Sequence, residues 1–283
     1  MPPQGLQNRN RIKNVLGILL TPLVLYLLLR LFEYVQVYQP RTELVHAPTD
    51  VHPSPEEFYL PSGDAYRIHG WFFSTVEDGP WSDWVVLISH GNGGNISYRL
   101  GLYEIWLREG FSVMVYDYRG YGRSSGRPSE EGTYQDAVAA YQWLRQEKRF
   151  PTDKIIAMGE SLGGAVATEL AVRQPIAALV LQSTFTRIID IGKERFPFLP
   201  VETLSTINYD TRSKLPSVKI PKLILHSRED GMIPFHHAEK NHAACPEPKL
   251  FGEITGGHND PLHATAEAYH RHIARLKDLI RDL

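Results

Sequence analysis

Hydrophobic positions follow two different patterns along this chain. Near its start, Val15 to Leu29 (VLGILLTPLVLYLLL) form one uncharged run, extended beyond Arg30 by Leu31 and Phe32. The run is apolar all round and close to the roughly 20 residues that cross a hydrocarbon core. It predicts a membrane anchor over 15–32, with Arg30 able to snorkel at one end. Arg9, Arg11 and Lys13 lie in the preceding 1–14 segment. They predict a cytoplasmic N-terminus, with the remainder of the chain on the far side. A cleaved signal peptide is the rival, but no small-x-small site follows in LFEYVQVYQP, so the expectation is an uncleaved single-pass anchor. Residues 33–55, proline-rich from Pro40 (PRTELVHAPTDVHPSP), read as a linker.

Beyond residue 55 the apolar runs are short and recurrent. EFYL and YRIHGWFF, separated by Pro61-Ser62-Gly63-Asp64, predict a β-hairpin. WVVLISH (84–90), SVMVY (112–116), KIIAM (154–158), ALVLQ (178–182) and KLILH (222–226) are continuous apolar runs, as expected of strands buried on both faces. Between them lie helical patterns. Tyr134, Ala137, Val138, Tyr141 and Leu144 share one face behind Ser129, Glu130 and Glu131, a cap with first-turn acids. A second helix is predicted from Leu162 to Gln174, stopped by Pro175, and a third from Glu267 onward with Tyr269, Ile273, Leu276 and Ile280 on one face. Strands alternating with helices predict an α/β fold, mostly parallel in its central sheet, with helices on both faces and the hairpin at its leading edge. Residues 56–283 are thus expected to form one domain. One stretch breaks the alternation: 183–221 carries Ile188, Ile189, Ile191, Phe196, Phe198 and Leu199 with prolines at 197, 200 and 216, which predicts a cap or lid insertion.

Composition narrows the function classes. The net charge of −2, with 42% hydrophobic and 22% charged residues, gives no reason to expect nucleic acid. The single cysteine, Cys245, forbids an internal disulfide and has no neighbouring base, so it reads as a structural thiol.

The candidate chemistry centres on GESLGG, Gly159 to Gly164, which fits G-x-S-x-G between a buried strand and a helix. So tight a turn needs glycine two residues before and two after the serine, and it presents the Ser161 hydroxyl at the sheet's carboxyl edge. A neutral serine also needs a base, and the base an orienting acid, in the chain order Ser, Asp or Glu, His. KLILHSREDGMIP supplies Asp230 after a buried strand, with Glu229 as immediate rival and Asp210 as a distant one. GGHND supplies His258. Oxyanion donors are expected from the N–H of Leu162 and from the HGNGGN loop (90–95), where the donor is assigned to Asn92. DYRGYGRSSG (117–126) reads as a loop pinned by Asp117 beside the site. His236, His237 and His242, or His258 with Asp260 and His263, lack a cysteine or carboxylate pair to complete a ligand set, so no metal and no cofactor is expected.

With HGNGGN, DYRGYGRSSG, GESLGG, HSREDGMIP and GGHND in this order, the chain from Phe58 onward resembles the α/β-hydrolase superfamily. Within it the chain is similar to single-pass, membrane-anchored serine hydrolases with a short cap, some of which are palmitoyl-protein thioesterases. The resemblance implies Ser161 as nucleophile, Asp230 as acid, His258 as base, and Asn92 and Leu162 as oxyanion donors. It leaves the substrate open, since this superfamily hosts many; among small-molecule, lipid and acylated substrates the Ile/Phe-rich insertion, able to cover an apolar chain near the bilayer, favours an ester or thioester of an acyl chain. Two other readings stand beside it: a serine aminopeptidase-type hydrolase, whose amine site would need acids that Glu194 and Glu202 do not cluster to give, and a non-catalytic binding module on the same scaffold.

Overall fold

The computed structural model describes residues 4–63, 65–76, 78–260 and 266–282, the first sixteen of them as backbone only. The chain forms two compact units, 1–39 and 40–283. The first is a helix, α1 (Gln4–Val37), with Pro22 inside it. It contains the apolar run expected to span a membrane. Its window Leu20–Val37 has a mean hydropathy of 1.4, long and apolar enough to cross a bilayer. Arg30 is ion-paired with Glu33 at 2.8 Å, one helical turn on.

The second unit is built on an eight-stranded sheet. In chain order the strands are β1 (Glu56–Ser62), β2 (Tyr66–Phe73), β3 (Val85–Ser89), β4 (Ser112–Tyr116), β5 (Ile155–Glu160), β6 (Ala178–Gln182), β7 (Lys222–Ser227) and β8 (Lys249–Ile254). Their order across the sheet is β8-β7-β6-β5-β3-β4-β2-β1. β1 and β2 pair antiparallel and so do β2 and β4, while every other pair is parallel. The sheet is therefore mixed at its leading edge, as the pattern predicts. β1 runs on through Pro61 and Ser62, two residues expected in the turn, because Ser62 pairs with Tyr66.

The helices of this unit are α2 (Leu100–Arg108), α3 (Glu130–Gln146), α4 (Leu162–Arg173), α5 (Ile188–Arg195), α6 (Val201–Leu204), α7 (His236–Ala244) and α8 (Ala266–Arg281). α3 starts where the cap signal puts it, with the Ser129 hydroxyl accepting from the N–H of Gly132. α8 buries Tyr269, Ile273 and Leu276, three of the four residues predicted on its inner face. β3 is central, with β4 on one side and β5 on the other, so the loops after β3, β4 and β5 meet at one edge of the sheet, the usual place for a ligand crevice.

Outside the excursion, three elements have no counterpart in the predicted pattern. β8 is an edge strand, half-buried and with Glu253 exposed, so it lacks the continuous apolar run of its neighbours. α2 starts at Arg99 without a side-chain cap. α7 buries His237, Ala238 and Asn241, a face with no large apolar group to announce it. The 183–221 excursion contains α5 and α6. Phe185, Ile189, Tyr209, Leu215 and Val218 are buried in it, whereas Phe198 is 98% exposed at its tip.

Candidate active site

The turn from β5 to α4 leaves no room for side chains at two positions. A Cβ on Gly159 would stand 2.1 Å from the Gly163 carbonyl oxygen, and one on Gly163 would stand 2.0 Å from that of Ser89. Both glycines are therefore steric requirements of the turn. Ser161 between them takes φ 53° and ψ −116°, a strained conformation for a residue with a side chain. Its N–H donates to the Gln182 carbonyl at 2.9 Å, which fixes the turn to β6. The hydroxyl stands at the amino end of α4, where the helix dipole favours negative charge.

His258 Nε2 lies 3.1 Å from Ser161 Oγ, and its Nδ1 lies 2.7 Å from Asp230 Oδ2. A carboxylate only accepts, so Nδ1 donates to it and Nε2 is left to accept from the serine hydroxyl. Asp230 is itself held: its Oδ1 accepts from the N–H groups of Met232 (2.9 Å) and Ile233 (2.8 Å). Burial works against its charge, but the His258 hydrogen bond and charge and these two N–H groups outweigh it, keeping its pKa below the ordinary aspartate value. His226 lies beneath, donating through Nε2 to the Ile233 carbonyl at 2.8 Å.

The two rival acids are placed elsewhere. Glu229 accepts from the N–H of Gly256 at 2.9 Å, so it anchors the loop that carries His258 rather than His258 itself. Asp210 caps a turn in the excursion by accepting from Ser213.

The HGNGGN loop passes directly over the turn. A Cβ on Gly91 would meet Ser161 Cβ at 3.5 Å and Glu160 Oε1 at 3.1 Å. The carbonyl of Asn92 accepts from the Tyr121 hydroxyl at 2.9 Å, tying this loop to the one after β4. Asp117, fully buried, pins both loops as expected: its Oδ1 accepts from the Ile96 N–H and its carbonyl from the Ser124 hydroxyl. Behind it runs a polar chain, Asp117 Oδ2 to His69 Nδ1 at 3.1 Å and His69 Nε2 to Glu57 Oε1 at 2.9 Å.

One ion pair in the site was not anticipated. Glu160, the variable residue before the serine, meets Arg99 through Oε2···Nε at 2.8 Å and Oε1···Nη2 at 3.3 Å. Arg99 Nη1 also donates to the carbonyls of Gly93 (3.1 Å) and Asn95 (3.3 Å). The guanidinium thus clamps the loop after β3 to the turn carrying Ser161. Burial opposes the Glu160 charge, but the charge and hydrogen bond of Arg99 prevail and hold its pKa low. A charged residue inside an otherwise apolar strand-turn-helix was the available signal, and its partner could not be read from sequence.

Of the histidines weighed as ligands, His258 is engaged as described, His263 lies outside the described residues, and His242 packs edge-on against Phe251. Cys245 is buried, which pushes its thiol up to about 11 and keeps it protonated and inert at neutral pH.

Residues 81–207 match a protein-family model described as serine aminopeptidase, S33. The chain is 38% identical over 226 residues to an uncharacterized protein of Mycobacterium tuberculosis (strain ATCC 25618 / H37Rv), covering 80% of each. It is 33% identical over 236 residues to the alpha/beta hydrolase domain-containing protein WAV2 of Arabidopsis thaliana, covering 76% of this chain and 75% of that one. Among solved structures, the esterase Pf2001 of Pyrococcus furiosus superposes with a TM-score of 0.71 over 86% of this chain and 100% of its own, at 19% identity, a likeness of fold.

Proposed function

This chain belongs to the α/β-hydrolase domain-containing family, and from that premise we propose a membrane-tethered serine hydrolase that cleaves an ester or thioester of an acyl chain. The observation that carries this reading is the unbroken chain of hydrogen bonds from Ser161 through His258 to Asp230, at 3.1 and 2.7 Å. His258 takes the hydroxyl proton as Ser161 Oγ attacks the acyl carbonyl. Asp230 stabilises the imidazolium that results. The N–H groups of Asn92 and Leu162 receive the oxyanion, the first on the clamped loop and the second at the opening of α4. His258 then protonates the leaving alcohol or thiol, and water, deprotonated by the same imidazole, releases the acid from acyl-Ser161. None of these steps calls on a metal or cofactor.

The acyl preference is supported by the excursion after β6. It acts as the cap, and Phe196, Phe198 and Leu199 offer apolar surface for a chain. α1 is the tether. Arg9, Arg11 and Lys13 ahead of it favour a cytoplasmic N-terminus and a catalytic domain across the membrane. The description of the matched family favours a second reading, an aminopeptidase-type hydrolase. An amine would need an acid in the cap, but Glu202 is paired with Arg187 and Lys193, and Glu194 with two histidines.

Labelling of the purified full chain with a fluorophosphonate tests the mechanism. Wild type is expected to label and Ser161→Ala is not; equal labelling of both refutes acyl-serine chemistry. For substrate class, p-nitrophenyl esters of rising chain length are compared with aminoacyl-naphthylamides, and a preference for the amides overturns the ester reading. A C-terminal reporter active only in the cytoplasm would reverse the orientation.

A further inference from the structure

Away from Ser161, the structure brings to two of the histidines weighed as ligands, His236 and His237, a carboxylate that spacing along the chain did not suggest. His236 and His237 open α7, and Glu194 comes to them from α5 in the excursion. Glu194 Oε1 lies 2.9 Å from His236 Nε2 and its Oε2 lies 3.2 Å from His237 Nε2. One ligand atom from each of the three lies within 4.8 Å of the others. Tetrahedral zinc with bonds of about 2.0–2.1 Å holds its ligands roughly 3.3 Å apart, close to the spacing here. The carboxylate that sequence reasoning found lacking is supplied by the fold.

The protons on His237 sharpen this. Thr186 Oγ1 lies 2.7 Å from Asp190 Oδ2 and 2.8 Å from His237 Nδ1. A carboxylate cannot donate, so the hydroxyl proton points to Asp190, and a neutral ring with its proton on Nδ1 donates to the Thr186 hydroxyl oxygen. In that tautomer the Nε2 lone pair turns towards Glu194, the orientation a metal-bound imidazole takes. The other neutral tautomer accepts at Nδ1 from the Thr186 N–H at 3.2 Å and donates from Nε2 to Glu194 at 3.2 Å, and binding of an ion at Nε2 selects the first.

We propose that Glu194, His236 and His237 bind a divalent transition-metal ion of the zinc type, with Thr186 and Asp190 orienting His237 from behind. Imidazole nitrogens and one carboxylate suit a borderline cation better than calcium or magnesium. The chain Asp190–Thr186–His237 is the kind of outer support that fixes the tautomer of a metal-bound histidine. His236 and Glu194 are each 39% exposed in their side chains, which leaves the ion a way in and a position for water. Binding would join α5 of the excursion to α7, which follows directly from the loop carrying Asp230. This inference stands apart from the hydrolase reading, because its readout is metal binding.

The test is titration of chelator-stripped full-length protein in detergent with Zn²⁺ by calorimetry, and with Co²⁺ by visible absorption. Wild type is expected to take up one equivalent of Zn²⁺ and to give the intense bands of four- or five-coordinate Co²⁺. Glu194→Gln and His236→Gln should each weaken binding at least 10-fold, and Thr186→Val about 10-fold. His236 is half-exposed, so its replacement leaves the fold intact, and circular dichroism melts without metal check this. Zn²⁺ should raise the melting temperature of wild type and leave that of His236→Gln unchanged. Absence of binding to wild type, weak octahedral Co²⁺ bands, or equal binding by wild type and the two ligand variants overturns the site.

Discussion

Two of the clusters that set a histidine against a carboxylate in this molecule, the one at Ser161 and the one at Glu194, are built to opposite standards. At Ser161 the acid is Asp230, buried, with one oxygen on two backbone N–H groups and the other on His258. At the second cluster the acid is Glu194, on an exposed face of α5, divided between His236 and His237. An acid held by the backbone keeps its histidine in one tautomer and one direction, which suits proton transfer repeated at every turnover. An acid on a long, accessible side chain can move by the few tenths of an ångström that admitting an ion requires. The difference teaches that the backing of a His–carboxylate pair carries more information about its use than the pair itself.

The comparison can be broken most severely at the serine. Ser161→Ala or His258→Ala should lower kcat for a p-nitrophenyl ester by about 10⁴-fold or more, measured at saturating substrate. Asp230→Asn should cost about 10³–10⁴-fold in kcat with little change in KM, because its remaining carbonyl oxygen still accepts the two N–H groups while the tautomer of His258 is reversed. A residual rate within 10-fold of wild type in any of these three variants would show that this cluster is no better disciplined than the other.

Glu160→Gln strands the nearly buried Arg99 guanidinium and should cost about 3 kcal/mol of stability by urea unfolding. Replacing the pair together, Arg99→Met with Glu160→Leu, should restore most of that stability. It should still leave kcat at least 10-fold down, because the carbonyls of Gly93 and Asn95 lose their clamp. Full recovery of kcat would make the ion pair merely structural.

Acid should test the first cluster through His90, which burial keeps neutral behind the Ser161 turn. Burial, then the charge of Arg99, lowers the His90 pKa from 6.5 to about 4. The unfolded chain therefore takes up the proton first. Stability present above pH 6.5 is lost as the pH falls towards 4, by roughly 3 kcal/mol for this residue. Urea midpoints measured across that range should decline in wild type and decline less in His90→Gln. The smallest effect is expected at the cap: Phe198→Ser should change stability by less than about 0.5 kcal/mol, since the ring is exposed, while lowering kcat/KM for long-chain esters about 5-fold relative to short ones.

How much of this was legible depended on whether a residue's partner is local or distant. The turn around Ser161 could be read because its requirements lie within six residues: a buried strand, two glycines and a helix. The loops carrying Asp230 and His258 could be read because each follows a recognisable signal, a buried strand for one and a glycine pair for the other. β8 and α7 escaped because one is half-exposed and the other buries small and polar side chains, so neither shows the apolar period that marks an element. The Arg99–Glu160 clamp and the Glu194 cluster escaped for a different reason. Their members are separated by 61 residues in the first case and by 42 and 43 in the second, distances over which only the fold decides who meets whom.

The polar closures of this domain also have a direction in time. His69 on β2 waits for Asp117, 48 residues later in the chain, and Ser62 for Asp136, 74 residues later. Ser161 waits 97 residues for His258, and Glu109 on the far side of the sheet waits 161 for His270. On a ribosome, where the amino end emerges first, the elbow and its glycines can take shape while the serine still has no base. Under the proposed mechanism, a nascent chain released before His258 would hold Ser161 in its turn without the base that activates it.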